Sequence, residues 1–418
     1  MPKNVSGPPL AAIRLSPRGV ARLKSGHPWV YRSDLIGCEQ VEPGALVRVN
    51  DGKGKFLGTA AYSSSSQIAI RMLGREEIAE LPSLVAQRIR AAVAYRKPLV
   101  HGSNAFRLVF SEADFLPGLI IDKYNDVLSV QILTQAMDAE SVRGAVIETL
   151  VSELAPAGIV ERVDARIRDL EQLPARESAL LWGKKSATIF AMNGTLAGAT
   201  NGVTSGAAES RDNNAVRFHY DGLEGQKTGG FLDQRENYAA AARYAQGDAL
   251  DVFCYQGGFA LHLARRCSRV SGVDSSRPAL EIADKNAALN GHDLEWIEAN
   301  AFDLLRDYAA AGNRYGTVVL DPPAFAKTKR DVEKALRGYK ELNLRAIKML
   351  QSGGTLVTCS CSFHVSLEEF LKAVGEAAAD AHRSLRILEV RGAAQDHPAL
   401  LNAPETNYLK CLILHVND

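Results

Sequence analysis

The sequence predicts an α/β protein whose C-terminal part contains a parallel sheet, preceded by a small β-rich domain and a central α+β domain. From about residue 248 to residue 361, apolar runs alternate with segments of helical period, a pattern typical of a parallel sheet covered on both faces. Near the N-terminus, short apolar runs are separated only by turn residues, which indicates strands. The length of 418 residues also exceeds what a single core usually supports.

The predicted domains cover residues 1–80, 81–205 and 206–418. In the first, NDGKG (Asn50–Gly54) separates two alternating runs and predicts a hairpin. In the second, LPSLVAQRIRAAVAYRKPL has helical period, and the strands LPGLIIDKY and VLSVQIL flank a turn at Asn125-Asp126. Residues 192–214 are rich in Gly, Ser, Thr and Asn, which indicates a flexible loop or a domain boundary.

The composition is that of an ordinary globular protein, with 46% hydrophobic residues, 23% charged residues and a net charge of +1. The N-terminus lacks the apolar core of a signal peptide, and no apolar run reaches membrane-spanning length. We therefore expect a cytoplasmic protein without a membrane partner. Six cysteines are few for this length, so reduced thiols are expected and a disulfide framework is not.

Basic residues without acidic neighbours occupy the first 33 positions of the chain. This stretch contains Lys3, Arg14, Arg18, Arg22, Lys24 and Arg32 and no Asp or Glu. Such a run can follow a phosphate backbone, although taken alone it is more often an ordinary solvated surface.

The ends of the predicted parallel strands carry the candidate ligand-binding residues, because ligands of open parallel sheets lie beyond the carboxyl ends of the strands. The first strand ends in DVFCYQGGF, where Gly257 and Gly258 allow close approach of the backbone. The second ends in GVDSS, where Asp274 is placed to hold ribose hydroxyls or, alternatively, to cap a helix. A third glycine in the dinucleotide spacing is missing, which disfavours NAD. Together with a fourth strand ending in Asp-Pro-Pro, these features resemble a class I methyltransferase that binds S-adenosylmethionine.

Asp321-Pro322-Pro323 places a carboxylate in the same crevice and stiffens the chain after it. Amino-methyltransferases use a related motif with an aromatic residue directly after the second proline. Here that position is Ala324, and Phe325 follows one residue later. Methylation of an exocyclic amine therefore remains an alternative.

The segment LVTCSCSF carries two cysteines at the end of another strand. Without a second cysteine pair, this spacing does not make a zinc site, and no metal is expected. Cys359 is expected to be a buried structural residue. Cys361 can reach past the strand end, where a thiolate adding at C6 of a pyrimidine would make C5 nucleophilic. Asp321 would then bond the N3 or N4 edge of the base, which favours cytosine.

Several longer motifs resemble the ribosomal large subunit methyltransferase I family, whose members are 23S rRNA cytosine-C5 methyltransferases. The resemblance covers nearly the whole chain, and its fold has an N-terminal PUA domain, a central α/β domain and a C-terminal Rossmann-like class I methyltransferase domain. It is carried by GHPWVYRSD, SEADFLPGLIIDKY, GQKTGGFLDQREN, DVFCYQGGFA, GVDSS, DPPAFAK, RGYKELN, TCSCS, DHP and ETNYLK. In the family, the GQKTGGFLDQR segment helps to enclose the methyl donor.

The resemblance implies roles for individual residues. Cys361 is the expected nucleophile and Asp321 its catalytic partner. The implied S-adenosylmethionine contacts are Phe253, Tyr255, Gly257, Gly258, Asp274, Ser275, Asn300, Ala301, Asp321, Gln234 and Arg235. Asn300 stands where the family usually has an acidic residue that contacts adenine. Ala324 stands where the family commonly has Lys, so the role of that lysine is either unfilled here or taken by Lys327. The RNA contacts implied for a PUA domain are Arg14, Arg18, Arg22, Lys24 and Arg32.

The sequence therefore predicts an S-adenosylmethionine-dependent rRNA cytosine-C5 methyltransferase acting on 23S rRNA or the assembling large subunit. A homodimer is expected from the resemblance. Two alternatives stay open: an N-methyltransferase that uses the Asp-Pro-Pro motif, and a non-catalytic RNA-binding protein that retains the fold. No residue is identified as the base that removes the C5 proton.

Overall fold

The computed structural model describes residues 10–37, 41–194, 215–223 and 230–417. Some features singled out in the sequence lie outside these ranges: Lys3, Cys38, residues 195–214 and residues 225–229 of the GQKTGG segment.

The N-terminal domain is a six-stranded sheet with one helix. Its elements are β1 (Ala11–Leu15), α1 (Pro17–Lys24), β2 (Trp29–Tyr31), β3 (Leu35–Ile36), β4 (Leu46–Asn50), β5 (Phe56–Tyr62) and β6 (Ile68–Gly74), in the spatial order β2-β6-β5-β4-β1-β3. The hairpin predicted at NDGKG is confirmed, because β4 and β5 pair antiparallel across it. Trp29 and Tyr31 are half-buried on either side of the buried Val30.

The central domain packs helices against a five-stranded sheet. Its elements are α2 (Leu81–Arg96), β7 (Ala105–Phe110), β8 (Leu119–Tyr124), β9 (Val127–Ile132), α3 (Gln135–Asp138), α4 (Glu140–Leu154), β10 (Gly158–Glu161), α5 (Ala165–Glu171) and β11 (Ala179–Gly183). The predicted helix and the turn at Asn125-Asp126 are both present. Two further strands, β12 (Ala187–Met192) and β13 (Val216–Asp221), pair antiparallel. They lie on either side of the boundary predicted between residues 205 and 206.

The C-terminal domain is a seven-stranded sheet covered by helices on both faces. Its elements are α6 (Arg235–Tyr244), β14 (Asp248–Val252), α7 (Gly258–Leu263), β15 (Arg269–Asp274), α8 (Arg277–Leu289), β16 (Glu295–Glu298), α9 (Ala301–Ala311), β17 (Tyr315–Leu320), α10 (Val332–Met349), β18 (Leu350–Ser360), α11 (Leu367–Asp380), β19 (Ser384–Arg391) and β20 (Lys410–Asn417). The strand order is β16-β15-β14-β17-β18-β20-β19.

The first five of these strands are parallel, as the alternating pattern predicts. The last strand, β20, departs from that pattern because it inserts antiparallel between β18 and β19. The strands β14 and β17, which are neighbours in the sheet, lie where the strand order reverses. Two apolar clusters, one on each face, bury the near-continuous apolar runs of these strands.

A buried polar cluster of Arg96, Arg107, Arg235 and Asp396 joins the central domain to the C-terminal domain. The carboxylate of Asp396 is fully buried. It accepts from the backbone N–H of Arg107 at 2.7 Å and from Nη2 of Arg235 at 2.9 Å. Its backbone carbonyl accepts from Nη2 of Arg96 at 3.0 Å. We call this group the Asp396 cluster.

Within the described residues, no helix combines the length and the apolar character needed to cross a bilayer.

Candidate active site

The ends of β14, β17 and β18 bring the predicted site residues together. These strands are adjacent in the sheet, and the loops that follow them carry DVFCYQGG, Asp-Pro-Pro and Ser-Cys-Ser respectively. Because β14 and β17 flank the reversal of strand order, a crevice is expected between their carboxyl ends. Three motifs that are far apart in the sequence therefore form one site.

The loop after β14 has an unusual backbone conformation. Phe253 has a φ of 68°, Tyr255 a φ of 50° and Gly257 a φ of 84°, all in the left-handed region. For a residue with a side chain this conformation costs on the order of 1 kcal/mol or more, and such residues concentrate at functional sites. The backbone N–H groups of Phe253 and Cys254 both donate to the carbonyl of Val273, at 2.8 and 3.0 Å, which holds the loop against β15.

An apolar cavity opens beside this loop. It is lined by Phe190, Met192, Phe218, Gly230, Phe231, Tyr238, Phe253, Cys254, Tyr255, Gln256, Gly258, Phe259 and Asp321. The ring of Phe231 lies edge-on to Tyr255, with 5.1 Å between centroids. A Cβ added at Gly258 would lie 2.5 Å from Cζ of Tyr238, so the close contact requires glycine. Aromatic walls with one carboxylate fit a purine nucleoside that carries a cationic sulfonium.

Asp274 links the loop after β14 to the end of β15. Its Oδ2 accepts from the backbone N–H of Tyr255 at 3.0 Å, and its Oδ1 accepts from the N–H of Ser276 at 2.9 Å. The N-cap position of α8 belongs to Ser276, so Asp274 fixes the turn before that helix and does not cap it. Each carboxylate oxygen has a second lone pair, which is available for a ribose hydroxyl. Ser275 is exposed beside it.

Asn300 caps α9, and Ala301 is the buried first residue of that helix. The side-chain oxygen of Asn300 accepts from the backbone N–H groups of Phe302 and Asp303, at 2.9 and 3.3 Å. The atom expected to accept a hydrogen bond from adenine is therefore already engaged. The adenine contact stays a prediction, and helix capping is the role that the geometry explains.

Asp321 lies at the end of β17 with its carboxyl group beside the cavity. Burial raises the pKa of Asp321 to about 7, the negative charge of Asp233 adds to the rise, and a hydrogen bond from Gln234 opposes it. Near neutral pH this carboxyl group therefore exists in both protonation states. It can donate a proton as well as accept a hydrogen bond.

Gln234 and Arg235 end a 3₁₀ turn and begin α6. Gln234 is buried next to Asp321, as its effect on that carboxyl group requires. The guanidinium of Arg235 instead points into the Asp396 cluster. Arg235 does not line the cavity, so its predicted cofactor contact stays a prediction, and the structure gives it a role at the domain junction.

Cys361 follows the last residue of β18 and is partly exposed. Its Sγ lies 3.8 Å from the carbonyl oxygen of Pro322, the residue after Asp321. The two flanking serines are anchored to Tyr339: Oγ of Ser360 donates to Oη of Tyr339 at 2.9 Å, and Oγ of Ser362 lies 3.0 Å from the same atom. The thiol is therefore held at the edge of the crevice and is not sealed in the interior.

Cys359 is fully buried and pairs across the sheet with Cys411 of β20. Burial raises the pKa of Cys359 far above its ordinary value, and Cys411 and Asp321 add to the rise. The thiol stays protonated at neutral pH, which agrees with the structural role expected for it.

Two residues of the ETNYLK segment also lie at the site, although the sequence did not predict a role for either of them. Oη of Tyr408 donates to Oδ2 of Asp233 at 2.6 Å. Nζ of the buried Lys410 donates to the carbonyl oxygens of Ser362 and Val365, both at 2.7 Å. A lysine within an apolar strand run, KCLILHV, was the available signal.

The predicted RNA-contacting residues differ in how the structure uses them. Arg14, Arg18 and Lys24 are exposed. Arg18 donates to the buried Asp34 at 2.7 Å, and the guanidinium of Arg22 lies 4.6 Å from the ring centroid of Tyr31. Arg32 donates to backbone carbonyls of the loop before β6 and has a structural role.

In the described ranges, no group of three or more His, Cys, Asp or Glu side chains is arranged to hold a metal ion.

Two family models match the chain. A PUA-like domain matches residues 13–75, which cover most of the N-terminal sheet. An S-adenosylmethionine-dependent methyltransferase model matches residues 132–413, more than half of the chain. The methyl donor expected from the sequence is therefore confirmed, and so are the two fold assignments.

Similar proteins of known name extend over nearly the whole length. The ribosomal RNA large subunit methyltransferase I of Pseudoalteromonas translucida is 36% identical over 406 residues, which cover 94% of this chain and 96% of that protein. The protein of the same name from Shewanella denitrificans is 36% identical over 415 residues, covering 97% and 99%.

Solved structures with the same fold have a lower sequence identity. A methyltransferase complexed with SAH has a TM-score of 0.78 at 16% identity, covering 97% of this chain and all of the other. A SAM-dependent methyltransferase from Streptococcus mutans has a TM-score of 0.76, also at 16% identity, with the same coverage. These two structures establish likeness of fold.

Proposed function

Because this chain belongs to the ribosomal RNA large subunit methyltransferase I family of S-adenosylmethionine-dependent methyltransferases, we propose that it forms 5-methylcytosine in 23S rRNA through a covalent bond between Cys361 and C6 of the base. The observation that carries this proposal is the position of Cys361. Its partly exposed thiol lies beside Pro322, the residue that follows Asp321 at the cavity. The nucleophile thus contacts the residue next to an acid that can carry a proton, an arrangement that suits addition to a pyrimidine.

In the proposed mechanism, the thiolate of Cys361 adds to C6 of cytosine, and Asp321 gives its proton to N3. The electron pair of the C5–C6 double bond is thereby available at C5. S-adenosylmethionine supplies, when bound, the electrophilic methyl group that C5 takes. Loss of the C5 proton to a base, departure of the Cys361 thiolate from C6 and return of the N3 proton to Asp321 then restore the neutral aromatic base.

The raised pKa of Asp321 supports its part in this sequence. A carboxyl group with a pKa of about 7 is half protonated at neutral pH, so it can give up a proton and remain as an anion. After that transfer the anion faces two donors of the cytosine adduct, the N3–H and the N4 amino group. An ordinary Asp would be ionised before the base binds and would have no proton to give.

The rival reaction, methylation of an exocyclic amine, needs an aromatic ring that stacks on the base near Asp-Pro-Pro. Phe325 is the nearest candidate in the sequence. Its ring centroid lies 4.9 Å from that of Tyr339 and 6.1 Å from that of Phe302, and it packs against the core under α10. These contacts hold the ring against the protein, which disfavours its stacking on a base and so favours the C5 reaction.

The proposed substrate is 23S rRNA, either free or in the assembling large subunit. The names of the relatives and the PUA-like domain support this part of the proposal. The exposed Arg14, Arg18 and Lys24 offer positive charge for phosphate contacts on that domain. Formation of a homodimer and a cytoplasmic location remain predictions.

The proposal is tested with 23S rRNA purified from cells that lack the protein. Wild-type protein and labelled S-adenosylmethionine should produce 5-methylcytosine, identified by nucleoside mass spectrometry. Cys361→Ala should lower the rate by ~10³-fold or more, because the nucleophile is lost. Cys359→Ala is the matched control, and it should retain activity if it folds. Full activity of Cys361→Ala, or formation of an N-methylated base, would exclude the C5 mechanism. Failure to bind S-adenosylmethionine in calorimetry would instead favour a non-catalytic RNA-binding protein.

A further inference from the structure

Lys410 is a buried cation next to the loop that carries Cys361. It is the first residue of β20 and lies directly opposite Ser360, the last residue of β18. Only 8% of Lys410 is exposed. A lysine is rarely buried unless its charge is compensated, because desolvation of an ammonium group is costly. Its position at this strand end therefore calls for a functional explanation.

The contacts of Lys410 hold the turn after the nucleophile. Its Nζ donates to the carbonyl oxygen of Ser362, one residue after Cys361, and to that of Val365, both at 2.7 Å. Ser362 is also held from the other side, because its Oγ accepts from the backbone N–H of Ala326 at 3.1 Å. The turn that presents the thiol is thus fixed between β20 and the segment after Asp-Pro-Pro.

The charged and titratable neighbours of this thiol come from four elements. Tyr339 belongs to α10, Tyr408 precedes β20, Lys410 begins β20, and Asp321 follows β17 next to Pro322. Lys410 is the cation of this set. Tyr339 and Tyr408 are neutral near pH 7, because burial raises the pKa of both hydroxyl groups. A negative charge on Cys361 is therefore compensated mainly by Lys410.

We propose that Lys410 is the positioning residue of the nucleophile: it fixes the Ser-Cys-Ser turn through two backbone carbonyls and supplies the positive charge that stabilises the Cys361 thiolate. This inference rests on the proposed function, since it assigns the activation of the nucleophile in that reaction. Lys327, the cation that the sequence offered near Asp-Pro-Pro, is exposed.

The protonation of Lys410 agrees with this role. Burial lowers the pKa of Lys410 to about 8, while the negative charges of Cys361 and Glu369 oppose the fall. The ammonium form therefore predominates at pH 7, and formation of the thiolate stabilises it further. Such a pair titrates as a unit, because each charge favours the other.

The test measures the alkylation of Cys361 by iodoacetamide as a function of pH, with peptide mass spectrometry to separate it from the other cysteines. Lys410→Met should raise the apparent pKa of Cys361 by about one unit or more, because a neighbouring cation lowers a thiol pKa. Alkylation at pH 7 then becomes about tenfold slower, and both proteins react equally fast at high pH. Lys410→Arg should restore most of the reactivity at pH 7. Lys372→Met, an exposed substitution on α11, should leave the titration unchanged.

A titration within a factor of two of wild type in a folded Lys410→Met protein would overturn the proposal. If that variant does not fold, Cys361→Ala gives the reciprocal measurement. Loss of the thiolate should lower the pKa of Lys410 and speed its acetylation by acetic anhydride near pH 7.5, and an unchanged rate would equally overturn the proposal. Neither titration needs RNA or methyl donor, so a failure here is distinguishable from a failure of the proposed methylation chemistry.

Discussion

Replacing Asp396 by Asn should destabilise the C-terminal domain, because it removes the carboxylate that compensates the buried guanidinium of Arg235. Although burial opposes ionisation, His397 and Arg235 lower the pKa of Asp396 well below its usual range. The carboxylate is fully buried, and its partner Arg235 is only 3% exposed. Removing one member of a buried ion pair typically costs ~3–5 kcal/mol, since the remaining charge loses its compensation.

The expected loss lies at the lower end of that range. Glu236, whose side chain is 26% exposed, remains 3.2 Å from the same Nη2 atom of Arg235 and compensates part of its charge. We therefore expect Asp396→Asn to lower the free energy of unfolding by about 3 kcal/mol. With a urea dependence of ~2 kcal/mol per molar, the midpoint should fall by roughly 1–2 M.

The assay uses tryptophan fluorescence during urea unfolding. Trp29, Trp182 and Trp296 lie in the N-terminal, central and C-terminal domains respectively, so replacing the first two by Phe leaves a probe of the C-terminal domain alone. Asp303→Asn is the control: its carboxylate is 61% exposed on α9, and it should change stability by no more than about 0.5 kcal/mol.

The pH dependence gives a second check on Asp396. A carboxyl group with a lowered pKa in the folded state stabilises the protein above its unfolded pKa of about 3.9, and this contribution is lost as the pH falls further. The difference between wild type and Asp396→Asn should therefore be full at pH 7 and should shrink below about pH 4. A difference under about 1 kcal/mol at pH 7, or one that grows towards acid, would refute the reasoning.

Three further predictions concern the site and the RNA surface. Gly258→Ala should weaken S-adenosylmethionine binding in calorimetry, because its Cβ would lie 2.5 Å from the ring of Tyr238, whereas Gly375→Ala, with no atom within 4 Å, should not. The methylation rate should fall as the pH rises through about 7, where Asp321 loses its proton. This fall should be absent from the pH profile of the much slower Asp321→Asn enzyme. If the fall persists in that variant, another group causes it. Replacing the exposed residues Arg14, Arg18 and Lys24 by neutral ones should weaken rRNA binding. The slope of the logarithm of the binding constant against the logarithm of salt concentration should become less steep by about 2–3. Arg306→Ala on α9 should change neither quantity.

Much of the catalytic half of the fold could be predicted because its signals are local. Each of the first five parallel strands is a short apolar run bounded by its own turn and helix, so the pattern of neighbouring residues is sufficient. The same locality explains why the site residues at strand ends could be identified. Asp321 and Cys361 each follow a strand directly, Gly258 begins α7 after the turn that follows β14, and parallel strands bring their ends to one edge of the sheet.

Other features depend on contacts between distant segments. The antiparallel insertion of β20 brings Lys410 beside the loop of Cys361, although no pattern around Lys410 specifies which strand it will pair with. In the same way, Arg235 carries a side chain suited to a ligand, yet it meets Asp396, 161 positions away.

The alternation of apolar runs and turns in the chain was therefore enough to predict three domains, a parallel sheet and a thiol beside an Asp-Pro-Pro carboxylate. Which cation compensates that thiol, and how the central domain is joined to the catalytic one, became visible only once the chain was folded. The physical reason is that hydrophobic periodicity acts over a few residues, whereas buried charges acquire their partners from whichever segments pack around them.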